Sequence, residues 1–133
     1  MSTTIIRLMS SETIIGDVVE KNVKEGTLII KNPVLLETVY SDNARYVLMR
    51  DLLKDSMEIY MPIQAMNIMY SYPAAPEVEA YYRGCIPTFE RAKTSHREMY
   101  KGMLDELVKD TLAENMFEIK EGQFLQPSST TVN

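Results

Sequence analysis

Short apolar runs separated by turn residues fill the first half of the chain, and apolar residues at helical spacing fill much of the second. Ile5, Ile6 and Leu8, then Ile14, Ile15, Val18 and Val19, then Leu28 to Ile30 are β-branched or aliphatic runs of strand length. Ser10 and Ser11 separate the first two. Val23-Lys24-Glu25-Gly26 offers a hairpin whose glycine accepts a positive φ. The following run, LIIKNPVLLETVY, contains Pro33, which cannot donate a ladder hydrogen bond and predicts a bulge or sharp bend. Ser41-Asp42-Asn43 is a further turn. Tyr46 to Met49, Met57 to Met61 and Met66 to Tyr72 are three more extended segments, and Arg50 to Ser56 fits neither period.

The pattern changes at Tyr72-Pro73-Ala74-Ala75-Pro76, where two prolines end the strand region. This places a domain boundary after residue 73 and a linker over 74–87. Beyond it Phe89, Ala92, His96, Met99, Tyr100, Met103, Leu104, Leu107, Val108 and Leu112 recur at three- and four-residue spacing. Thr88 suits an N-cap and Glu90 a first turn, so the spacing predicts a helix from 88 to about 115 inside a helical extension of 88–125. A stripe that long needs cover, from its own strand domain or from the same helix in neighbouring copies. The polar, Ser/Thr-rich residues 126–133 read as a disordered tail.

Composition narrows the function classes. At 133 residues the chain holds one core and an appended element, not two enzyme domains. The net charge of -5 is spread over both halves, so a broad basic face for nucleic acid is excluded and any RNA contact must be local. No apolar run is long enough to span a membrane, and the N-terminus lacks a secretory pattern. A cytoplasmic protein without membrane contact is the expectation. Cys85 is the single cysteine, which precludes an internal disulfide and fits a part-buried small apolar residue.

The segment IRLMSSETIIGDVV resembles the first Sm motif, with Leu8, Ser11, Gly16 and Val18 at its fixed positions. Gly16 has a physical role there, letting the second strand bend tightly over a core. Ser11 stands where the motif has a turn glycine. LIIKNPVLLETVY is similar to the third strand of the bacterial RNA-chaperone branch, with Lys31-Asn32 matching and a loop before them about two residues longer. The second Sm motif is matched by Asn67, Ile68 and Tyr70, but Ile63-Gln64-Ala65 stands where the family has Arg-Gly in its eukaryotic branch or Lys-His in its bacterial one. The resemblance is to divergent Sm-like proteins of the kind found in marine bacteriophages. It implies a mainly β chain: a small, strongly bent five-stranded barrel over residues 1–73, followed by a long C-terminal helix. It also implies a closed homo-oligomeric ring of roughly five to seven copies, built by pairing the fourth strand with the fifth of the next subunit.

The same resemblance places single-stranded RNA recognition at loops on one ring face, where Lys31, Asn32, Gln64 and Asn67 are the candidate residues. Asn and Gln can bond a base edge and Lys31 a phosphate, and repetition round a ring multiplies weak contacts. The plainer alternative is that Asn32 closes a bend beside Pro33 and Gln64 is a turn residue. No cofactor, metal or catalytic residue is expected. His96 lies on the apolar stripe as a packing residue, and Asp105, Glu106 and Asp110 belong to a solvated helix face. Two functions follow as expectations: an RNA-binding ring, or an assembly platform whose helix contacts itself or another protein.

Overall fold

Residues 3–120 are described by a computed structural model. Six strands precede one helix: β1 (Thr3–Leu8), β2 (Thr13–Asn22), β3 (Thr27–Ser41), β4 (Ala44–Asp51), β5 (Tyr60–Gln64), β6 (Ile68–Pro73) and α1 (Pro76–Lys120). All pairings are antiparallel, in the order β4-β3-β2-β1-β6, with β5 also on β3. β5 takes the first residues of β3, Thr27 to Lys31, and β4 takes the last, Val34 to Ser41. The sheet is not closed by hydrogen bonds.

The strand count exceeds the expected five because the extended segment Tyr46 to Met49, beyond the Ser41 to Asn43 turn, belongs to a strand of its own, β4. Asp42 and Asn43 both adopt positive φ, 43° and 69°, and form a two-residue turn whose twist suits a hairpin. β3 and β4 therefore pair without interruption from Ser41↔Ala44 to Val34↔Asp51.

The bend anticipated at Pro33 is present. Asn32 takes φ 51°, and the register slips so that Ile15 faces Val34 while Asp17 faces Lys31. Gly16 sits opposite this bulge. A Cβ there would come within 2.5 Å of Ile30 Cγ2 and 3.1 Å of the Lys31 carbonyl oxygen. Ser11 holds φ 77° at the β1–β2 turn, the conformation glycine adopts most cheaply, and Gly26 has φ 64° as anticipated.

The bent sheet carries apolar residues on both faces. Ile6, Ile14, Ile30 and Ile63, from β1, β2, β3 and β5, form one cluster. Ile5, Ile15 and Val34 form another with Tyr82 of α1, and Val78, Ile86 and Phe89 of the helix pack against it. Val78, Tyr82, Ile86 and Phe89 are spaced four, four and three residues apart, so one stripe of the helix covers one face of the sheet.

This corrects the linker at 74–87 and the helix start at 88. Only Ala74 and Ala75 connect β6 to α1. Pro76 opens the helix at a position where a missing N–H costs nothing, Glu77 and Glu79 occupy the first turn, and Pro87 lies inside the helix. Packing energy on the sheet offsets the cost of Pro87, and Thr88 is an interior residue. The boundary after residue 73 also moves. Residues 3–96 make one compact unit, and the helix from Arg97 onward belongs to a second. Residues 121–125 of the expected extension and the tail 126–133 lie outside the described residues.

Candidate functional site

Lys31 and Asn32 owe their positions to the bulge. The Asn32 N–H donates to the Ile59 carbonyl at 2.7 Å, and its own carbonyl accepts the Tyr82 hydroxyl at 2.8 Å. The Lys31 carbonyl also accepts from Tyr82, at 3.3 Å. The backbone of both residues thus anchors α1 and the approach to β5. Tyr82 is fully buried, and burial, with the Asp17 carboxylate next in effect, pushes its hydroxyl pKa well above the ordinary tyrosine value.

Gln64 and Asn67 lie at the opposite end of β5. Gln64 caps, and Asn67 ends, a single turn of 3-10 helix, Ala65–Asn67, and both are exposed. The turn is tied at each side: the Ala65 N–H donates to the Gly26 carbonyl and the Met9 N–H to the Asn67 carbonyl, both at 2.7 Å. Gln64 faces Thr27 in the register, whereas Lys31 faces Tyr60. Four strand residues separate the two pairs, about 13 Å at the usual rise. The four candidate residues therefore form two separate pairs and not one pocket.

Three further features surround these residues, of which the open strand edges were expected from the sequence and the other two were not. An ion-pair network fixes α1 to the sheet: the Arg83 guanidinium bonds both oxygens of the buried Asp17 carboxylate at 2.7 Å and donates to the Thr3 hydroxyl at 2.9 Å, which in turn donates to Glu79 at 2.7 Å. The bonds that its guanidinium donates to Asp17 hold the Arg83 pKa above its ordinary value. Secondly, β5 and β6 are each paired on one side only, to β3 and β1 respectively, so an edge of each is open. Beside β6 lies a groove of about 680 Å³ lined by Ile6, Val18, Leu28, Ile68 and Tyr72 among others. Thirdly, Tyr70 and Tyr72 stand half exposed on β6 with ring centroids 5.9 Å apart, and Arg7 is the register partner of Tyr70. The alternation Tyr-Ser-Tyr signals two aromatic side chains on one strand face, and that pattern was available in the sequence.

Cys85 and His96 are both part-buried on α1, eleven residues apart, or about 16 Å along the axis. Among the described residues no three His, Cys, Asp or Glu side chains cluster as metal ligands, and no helix is long and apolar enough to cross a membrane. Asp105, Glu106 and Asp110 are exposed.

No family model matches the chain, and no curated protein matches it in sequence.

Proposed function

We propose that residues 3–73 act as a Sm-like barrel subunit that assembles edge to edge into a closed homo-oligomeric ring, and that the protein is a cytoplasmic, non-enzymatic assembly platform. The observation that carries this reading is the pair of open edges on β5 and β6, separated by one 3-10 turn. Open, apolar edges such as Tyr60–Gln64 and Ile68–Pro73 favour pairing with another chain. Two different edges on one subunit make a head-to-tail contact, which closes into a ring when the rotation per subunit permits. The tight bend at Gly16 and the cluster shared by β1, β2, β3 and β5 agree with a barrel.

Light scattering on the purified protein at tens of micromolar should give a single closed oligomer. Tyr60→Asp and Met69→Asp place a charge on half-exposed edge residues, and each should abolish the ring, lowering the mass to two chains or fewer, while the β-sheet circular dichroism persists. A wild-type monomer would end the proposal.

Single-stranded RNA binding is the second reading, favoured by the exposure of Gln64 and Asn67 on the turn between the two edge strands. A ring would repeat that turn once per subunit, so weak contacts would add. Labelled oligo-U and oligo-A should then bind more tightly than about 100 μM at moderate salt, as nonspecific binding alone already reaches that range in basic proteins. Gln64→Ala and Asn67→Ala should weaken binding; Lys31→Ala, at a separate place, tests whether a phosphate contact adds to it. Affinity unchanged in all three variants would remove these residues as the site.

A further inference from the structure

The helix from Arg97 onward carries a stripe that nothing among the described residues covers. Met99, Tyr100, Met103, Leu104, Leu107, Val108 and Leu112 are all between 50% and 62% exposed. They fall in adjacent pairs at four-residue intervals, 99–100, 103–104 and 107–108, with Thr111 and Leu112 completing the series. Together they offer on the order of 600 Å² of apolar area, near the ~800 Å² that each partner buries in a standard interface. Exposed apolar area of that extent on one helix marks a contact surface.

The series identifies the partner. It is nearly symmetric about the point between Asp105 and Glu106: Leu104 mirrors Leu107, Met103 mirrors Val108, Tyr100 mirrors Thr111 and Met99 mirrors Leu112. A second copy of the helix turned end for end therefore presents the same pattern at the same height. Charge follows the same polarity. Residues 97–102 hold Arg97 and Lys101 against one anion, Glu98, whereas residues 105–114 hold Asp105, Glu106, Asp110 and Glu114 against one cation, Lys109. Turning one helix round sets the cationic end of each beside the anionic end of the other, with like charges meeting only at the centre. An in-register parallel pair sets each end beside its own sign and aligns the two helix dipoles unfavourably.

We propose that α1 residues 97–114 pair antiparallel with the same segment of a second copy, making a two-fold contact distinct from the strand edges. In this arrangement Tyr100 of one copy packs beside Thr111 of the other. The contact does not depend on the ring; where both operate, helices would join two rings face to face, since an antiparallel pair cannot form within one cyclic ring.

Directed cross-linking of the full chain in a Cys85→Ser background tests this. Tyr100→Cys and Thr111→Cys variants are oxidised separately and as a mixture. Antiparallel pairing holds two Tyr100 positions about 16 Å apart along the axis, too far for a disulfide, but brings 100 beside 111. The expected result is a disulfide dimer in the mixture alone. Dimers from either variant by itself would mean parallel pairing and overturn the proposal. Absence of dimer in all three samples, with helicity retained by circular dichroism, would equally overturn it by making another segment or protein the cover. The edge variants Tyr60→Asp and Met69→Asp should leave the cross-link unchanged, so failure of the ring and failure of the helix pair are read separately.

Discussion

Tyr82 joins three demands in one side chain: it fills the cluster under α1, its hydroxyl satisfies the carbonyls that the Asn32 bend exposes, and it lies beside Asp17. Its raised pKa has a direct consequence for stability. Below pH about 10 both folded and unfolded chains keep the phenol protonated, and the contribution is fully present. Above that, the unfolded chain releases the proton while the folded chain retains it, so stability falls as pH rises. Ultraviolet absorbance should show one of the eight tyrosines ionising only as the chain unfolds in alkali. Tyr82→Phe should remove that component, flatten the alkaline loss of stability, and cost about 1 kcal/mol at neutral pH for the lost hydrogen bonds. Asn32 illustrates what a sequence can and cannot give at one position. Its place before Pro33 signalled a bend, and a positive φ was a natural outcome for asparagine. The partner that satisfies its carbonyl lies fifty residues away on a helix, and no local pattern announces it.

Strands and turns were legible where their signals are local: periodic apolar runs, Gly26, Pro33 and the Ser41 to Asn43 turn. Tyr46 to Met49 was legible as extended, but its place in a sixth strand along β3 was not, because Tyr46, Val47 and Leu48 follow in succession with no alternation, and all three are exposed. The start of α1 was misplaced because prolines 73 and 76 read as the opening of a linker, and Pro87, the third, lies just before the expected start at Thr88. Proline at the first turn promotes a helix, and a buried stripe of Val78, Tyr82, Ile86 and Phe89 carries it past the third. Gly16 was the most informative residue of the bend, and it supports a quantitative test. Gly16→Ala must push a methyl group against Ile30, which is fully buried, and against a backbone carbonyl that the bulge holds in place. Overpacking of that kind costs about 1–3 kcal/mol, so chemical denaturation should show a lower midpoint with an unchanged slope. Ile30→Ala, which removes the Cγ2 methyl that the new Cβ would meet, should cost less in the Gly16→Ala chain than in the wild type. A Gly16→Ala variant as stable as the wild type would mean that β2 does not need to approach β3 so closely.

Candidate ligand residues were identifiable by type but not by convergence, since register alone decides that Gln64 and Lys31 sit at opposite ends of β5. The open edges arise from the same register, and they make assembly and stability one problem. A subunit that pairs β5 with the β6 of its neighbour binds only when folded, so mass action stabilises it by an amount that grows with concentration. The melting temperature of the wild type should therefore rise over a hundredfold dilution series from low to high concentration, each tenfold step in effective partner concentration being worth about 1.4 kcal/mol per contact at most. Tyr60→Asp and Met69→Asp should show a smaller rise, keeping only what the helix contact contributes, because the groove beside β6 and both edges then stay solvated. A wild-type melting temperature independent of concentration would be compatible only with an assembly too tight to dissociate in the range, and native mass spectrometry at the lowest concentration would settle that: intact oligomer supports the ring, and single chains at constant melting temperature refute it.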